Sequence, residues 1–130
     1  GHYLMLHALI IDDNINNIEV LEMLLAQHEI SCATVQSVRH VEKTVSELDH
    51  TDVIFVDLEF PQGNGFQVLT ILRGFEKLRG VPIIAYSVHT SEIDEARLAG
   101  FDGFLGKPLQ AQRFPSQLKR ILSGGGVWDV

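Results

Sequence analysis

A doubly wound α/β fold, with a parallel sheet between two layers of helices, is what this sequence predicts. Three observations predict it. Short apolar runs alternate five times with stretches of helical periodicity. The run Val53-Ile54-Phe55-Val56 is apolar throughout and mostly β-branched, as a strand buried on both faces of a parallel sheet requires. It ends in one carboxylate, Asp57, and Pro61, Gly63 and Gly65 follow at once, so the strand stops there and a loop begins. Ligands of open α/β sheets bind beyond the carboxyl ends of strands, which makes Asp57 a first candidate. An aspartate at that position also serves as a turn cap, and this stretch alone leaves both readings open.

The remaining elements follow in order. Leu6 to Ile11 is the first strand and closes on Asp12-Asp13-Asn14. Ile15, Ile18, Leu21, Leu24 and Leu25 carry helical spacing, with Asn14 as N-cap and an end near His28. Ile30 to Val35 is the second strand. Val38, Val41, Val45 and Leu48 mark the second helix, which Asp49-His50-Thr51 ends. The third helix opens at Gly65 and is expected to pass Gly74 and reach Leu78. Val81 to Ser87 is the fourth strand, with Pro82 near its start, where proline is tolerated. Thr90 or Ser91 caps a fourth helix through Ile93, Ala96 and Ala99 to Gly100. A short fifth strand lies within Phe101–Gly106 and ends in Lys107-Pro108. Phe114, Leu118, Ile121 and Leu122 mark the last helix, with Pro115 in its first turn. Residues 1–123 are expected to form the domain, and 124–130 a short glycine-rich tail.

Composition narrows the function. A chain of 130 residues has the size of one domain with a real core. Ten Lys+Arg against seventeen Asp+Glu give a net charge of −7, which disfavours direct binding to nucleic acid. No apolar run approaches the roughly 20 residues that span a bilayer, and Gly1–Leu6 has no basic region or cleavage signal of a secretory leader. One cysteine, Cys32, cannot form an internal disulfide, so a cytoplasmic location is expected. His2, His7, His28, His40, His50 and His89 show no metal-ligand spacing.

The carboxyl ends of the strands collect an unusual set: Asp12 and Asp13 after the first, Asp57 after the third, Ser87 after the fourth, and Lys107 after the fifth. Singly, each has an ordinary structural role as cap, turn residue or solvated charge. Together they describe chemistry. Three carboxylates repel one another and suit a hard dication with oxygen ligands, usually Mg²⁺. Asp57 can then act as nucleophile toward a phosphoryl group, giving an acyl phosphate. Lys107 can pair with the phosphoryl oxygens and Ser87 can donate a hydrogen bond to one.

These residues resemble the receiver domain of two-component response regulators over essentially the whole chain. The matching stretches are Asp12-Asp13, Asp57-Leu58 with Pro61 and Gly65, Val81-Pro82-Ile83-Ile84-Ala85 with Ser87, Ala99-Gly100-Phe101-Asp102-Gly103-Phe104, and Lys107-Pro108. The resemblance implies a flavodoxin-like, five-stranded parallel sheet of order 2-1-3-4-5 with five helices. It implies that Asp57 accepts a phosphoryl group from a sensor histidine kinase or phosphotransfer protein. Asp13 and Asp57 would ligate Mg²⁺ directly, Asp12 through water, with the backbone carbonyl of Glu59 as a further ligand. Ser87 and Phe104 would form a switch pair, and the Lys107–Pro108 peptide would be cis. Catalysis would be limited to the chain's own phosphorylation and dephosphorylation. The output would be a changed surface around the fourth helix, fifth strand and fifth helix, read by a downstream protein or effector domain, with phosphorylation-dependent homodimerisation a further expectation.

Two positions are less ordinary: Glu59 adds a negative side chain near the site, and Val88 is bulkier than the alanine or glycine that receivers commonly carry there. A phosphatase of the haloacid dehalogenase type also uses a strand-end aspartate and Mg²⁺, but needs a second aspartate where Glu59 stands. A flavin or nucleotide carrier would need a glycine-rich loop where Asp12-Asp13-Asn14 would repel phosphates. No effector domain fits in the few residues after the last helix, so a receiver standing alone or belonging to a larger protein is expected.

Overall fold

The computed structural model describes residues 5–130; His2 lies outside them. The elements alternate as β1 (Leu6–Ile11), α1 (Ile15–Ala26), β2 (Ile30–Val35), α2 (Val41–Glu47), β3 (Val53–Asp57), α3 (Gly65–Arg73), β4 (Ile83–Ser87), α4 (Ile93–Ala99), β5 (Gly103–Gly106), α5 (Phe114–Leu122) and β6 (Val127–Asp129). The sheet is parallel throughout, in the order β2-β1-β3-β4-β5-β6. The expected five strands keep their expected order, but the count is corrected to six: residues 127–129 add a strand to the edge of β5. No described helix is long and apolar enough to cross a membrane.

Both sheet faces are buried, and alternate side chains of each strand go to opposite faces. Leu9, Ile11, Ile54 and Val56 face one cluster, which Val41 and Val45 of α2, Val68 and Leu72 of α3 and Ala96 of α4 complete. Ala8, Ile10, Val53 and Phe55 face the other, against Ile18 and Leu21 of α1 and Leu118 and Ile121 of α5. The sheet is thus packed on both faces, with its carboxyl ends along one edge.

Three helices depart from expectation at their ends. The third stops at Arg73, because Gly74 becomes its C-cap, and Glu76–Leu78 forms a separate 3₁₀ turn. The second and fourth helices open with 3₁₀ turns, Val38–His40 and Thr90–Glu92, and neither Thr90 nor Ser91 is the N-cap of α4. The fourth strand begins at Ile83, since Val81 N–H is bonded to Leu78 O and Pro82 has no N–H to give. Asn14 caps α1 as expected, accepting from Asn16 and Asn17 N–H at 2.9 and 3.1 Å. Asn64 does the same for α3, in a capping box with Gln67.

The loop after Asp57 is folded tightly back on its strand. Gly65 N–H donates to Leu58 O at 3.0 Å, and Glu59 and Asn64 form an antiparallel bridge. A Cβ at Gly65 would lie 2.5 Å from Asp57 O and 2.9 Å from Leu58 Cα. Backbone atoms cannot yield there as a side-chain tip could. Gly65→Ala is therefore expected to destabilise the chain by about 1–3 kcal/mol, the usual range for overpacking. Urea unfolding checks this; an unchanged midpoint would show that the loop relaxes freely.

Candidate functional site

The parallel sheet sets every strand's carboxyl end on one side, and there the candidates meet. Asp57 is the last residue of β3, Asp12 follows β1, Ser87 ends β4 and Lys107 follows β5. Register makes the meeting specific: Ile11 pairs with Val56, Asp57 with Tyr86, and Ser87 with Gly106. Oxygens of Asp12, Asp13 and Asp57 lie within 4.8 Å of one another. Asp12 is fully buried and Asp57 is 4% exposed, whereas Asp13 faces solvent. Among the described residues no other group of histidine, cysteine or carboxylate side chains has metal-holding geometry.

Burying two carboxylates is costly unless a positive charge or proton accompanies them. Lys107 supplies the charge. Its Nζ lies 2.9 Å from Asp57 Oδ1 and 3.4 Å from Asp12 Oδ2, and its side chain is only 9% exposed. The Lys107–Pro108 peptide bond is cis. Asp12 is further bonded by Asn14 N–H at 2.9 Å and by the Tyr86 hydroxyl. Burial pushes the Asp57 carboxyl up to about 7; the bond and charge from Lys107 oppose this, and the charges of Asp12 and Glu59 add to it. With three carboxylates and one lysine, the pocket remains short of positive charge, and its oxygen-only donor set fits a hard dication.

Tyr86 was not singled out from the sequence. It is buried, its hydroxyl donates to Asp12, and its ring lies 4.3 Å from Lys107 Nζ, centroid to nitrogen. Burial, then the charge of Asp12, raise its phenol far above the ordinary value, so it stays a donor. A tyrosine inside an apolar strand needs a partner for its hydroxyl, and that requirement was the available signal.

Ser87 is fully buried at the end of β4, but its hydroxyl turns to Glu59. Oε1 and Oε2 of Glu59 lie 2.9 and 3.2 Å away, and Glu92 Oε1 lies 3.4 Å away. A hydroxyl has one proton, so the nearest oxygen takes it, while Ser87 Oγ accepts His89 N–H at 2.9 Å. Burial and a bond to Glu92 raise the Glu59 carboxyl above its usual range, and the bond from Ser87 opposes that. Val88 stands 60% exposed directly after Ser87. Phe104 pairs with Ala85 in the sheet and is fully buried, packed in the same cluster as Val56 and Ala96. The histidines play other parts: His7 Nδ1 bonds Ser31 Oγ, His40 bonds Ser37, and His50 bonds Asp52.

Comparison with known proteins gives the family of the chain. The family described as the response regulator receiver domain matches residues 8–119. The polar-differentiation response regulator DivK of Brucella ovis is 32% identical over 75 residues, 56% of this chain and 61% of that protein. The chain thus spans about three fifths of the curated relatives of this kind that it matches. The hybrid signal transduction histidine kinase L of Dictyostelium discoideum is 29% identical over 128 residues, 91% of this chain but 7% of that protein. Among solved structures, the chemotaxis protein CheY4 of Vibrio cholerae superposes with a TM-score of 0.82 at 23% identity, covering 92% of this chain and 100% of that one. The receiver domain of a Pseudomonas aeruginosa sensor histidine kinase, with magnesium coordinated in its active-site cleft, gives 0.79 at 23% identity, over 92% of this chain and 99% of that one. The carboxylates on one strand edge, the lysine beside them and the family match together place this chain in the response regulator receiver family of two-component signalling.

Proposed function

We propose that Asp57 is the phosphoacceptor, that the donor is a sensor histidine kinase or phosphotransfer protein, and that the phosphorylated chain presents an altered surface to a downstream protein. The observation that carries this reading is the juxtaposition at Asp57: a lysine at 2.9 Å and two further carboxylates within 4.8 Å, at the end of a central strand. Asp13, Asp57, the Glu59 carbonyl and, through water, Asp12 would hold Mg²⁺. When bound, the dication supplies the positive charge that ionises the carboxylates and draws charge from a phosphoryl group.

The chain's own residues do the rest. A carboxylate oxygen of Asp57 attacks phosphorus, an O–P bond forms, and the N–P bond to the donor histidine breaks with its electron pair leaving on nitrogen. Lys107 faces the charge that builds on the phosphoryl oxygens and keeps that position without moving far, because Tyr86 backs it. Phosphorylation replaces a carboxylate by a group of roughly −1.5 to −2 charge with strong acceptors. Ser87 then has two acceptors to choose between, Glu59 and the phosphoryl oxygens. Leaving Glu59 for the phosphoryl group frees space that Phe104 can enter only by repacking, a discrete change rather than a gradual one.

Acetyl phosphate with Mg²⁺ is expected to add one phosphate at Asp57 by mass spectrometry, and excess EDTA or Asp57→Asn to abolish it. Full labelling of the Asn variant would refute the assignment.

The raised Asp57 carboxyl also predicts a pH dependence of the metal-free chain. Its folded value, about 7, exceeds the ordinary 3.8, so the folded state binds this proton more tightly. The stability it brings is present in full below about pH 4 and is lost as pH rises through 7. Relative to the Asp57→Asn variant in EDTA, the parent should lose thermal stability between pH 5 and pH 8, by melts at matched ionic strength. A constant difference across that range would contradict it.

Glu59 holds the Ser87 hydroxyl in the resting state, so Glu59→Ala should weaken the restraint on the switch, whereas Ser87→Ala should remove the switch. With beryllofluoride as phosphoryl mimic, Ser87→Ala is expected to keep labelling competence but lose most amide NMR shifts on the α4–β5–α5 face. Parent-sized shifts in Ser87→Ala would show that this hydroxyl does not transmit the signal.

A further inference from the structure

The sixth strand is joined to the sheet by unusually specific contacts. Val127, Trp128 and Asp129 pair with Gly103, Phe104 and Leu105. Val127 is fully buried among side chains of α5 and the sheet. Trp128 points to the opposite face, packs on the cluster containing Phe104, and receives the Arg97 guanidinium of α4 at 4.4 Å from its ring centroid. Asp129 returns to the α5 side, where Gln117 Nε2 and Arg120 donate at 3.0 and 2.9 Å and Arg113 lies at 3.4 Å. Burial disfavours the Asp129 charge, yet these donors outweigh it and hold the carboxyl below its ordinary range. Three successive residues are therefore read by three different environments: apolar, cationic over an aromatic ring, and cationic against a carboxylate.

The β5 strand is shaped for this approach. A Cβ at Gly103 would lie 2.7 Å from Val127 O, and one at Gly106 would lie 3.2 Å from Val130 Cα. Side chains at either position would push the added strand away. The link to α5 is Gly124-Gly125-Gly126, with φ of +82° at Gly124 and +68° at Gly126. Glycines carry no side chain to anchor the link, so the strand's own three residues supply its side-chain anchorage.

We propose that the outer edge of β5 is a strand-receiving site for extended segments of the pattern apolar–aromatic–acidic, filled here by the chain's own Val127–Asp129 and open to exchange for a partner protein's segment of that pattern. Backbone pairing supplies affinity and the alternating side-chain environments supply selectivity, as in strand addition generally. The docked strand covers the β5 edge between α4 and α5 and lies against Phe104, so exchange and the switch act on one place. The proposal extends the receiver reading by naming what the output face recognises, and its test needs no phosphate, so the two fail separately.

Trp128 is the only tryptophan of the chain, which makes the test direct. The Trp128→Ala/Asp129→Ala variant of the 130-residue chain should bind a fluorescein-labelled peptide Gly-Gly-Val-Trp-Asp-Val, read by anisotropy. The parent should bind it at least about tenfold more weakly, because a short tether gives its own strand a millimolar effective concentration. Replacing the peptide's Asp by Asn should cost about tenfold in affinity, the loss of one charge-assisted contact set. No saturable binding to the variant, or equal binding to variant and parent, would overturn the proposal. A second measurement uses the unaltered chain and stands even if the variant fails to fold. Excess unlabelled Gly-Gly-Val-Phe-Asp-Val should raise iodide quenching of Trp128 as the native strand is displaced, and quenching unchanged at millimolar peptide would overturn exchange.

Discussion

The contact between Lys107 and Asp57 is the interaction on which the rest of the site depends. Without a cation in that place, Asp12 and Asp57 would be two buried carboxylates facing each other with no charge to balance them. The lysine arrives from β5, three strands along the sheet from β1 and two from β3, and reaches the carboxylates because the sheet is parallel and the crossovers bring all strand ends to one side. The fold and the charge balance therefore constrain each other. A one-residue slip of β5 would turn its apolar side chains to the wrong faces and move Lys107 off its two partners.

The charges of the pocket do not cancel within it. Burial first, and then the charges of Asp12 and Glu59, outweigh Lys107 and leave Asp57 with a proton affinity near neutrality. Glu59 takes the Ser87 hydroxyl proton, with Glu92 Oε1 further off at 3.4 Å. Both acceptors within reach of that hydroxyl are glutamate carboxylates, Glu59 after β3 and Glu92 before α4.

Much of this was legible in the sequence because its signals are local. Val53–Val56 followed by Asp57 and a proline-glycine loop is readable as a buried strand with a ligand-facing end, and Asp12-Asp13 after Leu6–Ile11 repeats the pattern. Helix ends were less legible, since Gly74 can either sit within a helix or cap it, and packing of Leu78 as a separate turn decided the matter. The sixth strand was not legible: three residues after a glycine tract carry no periodicity, and its stability comes from Gly103 and Gly106 and from arginines distant in sequence. The direction of the Ser87 hydroxyl was hidden for the same reason. Glu59 was noted as an extra charge near Asp57, but its bond to Ser87 depends on how the loop from Glu59 to Asn64 folds back.

Tyr86 ties together one half of the site. Its ring lies against Lys107 and its hydroxyl is spent on Asp12, so lysine, tyrosine and aspartate brace one another across β1, β4 and β5. Ser87, Glu59 and Glu92 lie on the other side, at a strand end and in the segments that follow β3 and β4, where a hydroxyl proton can change partners without unmaking the sheet. Lysine, tyrosine and aspartate are thus committed to one another, while the Ser87 hydroxyl has a second carboxylate within reach, so the freedom to re-pair in this site belongs to the end of β4.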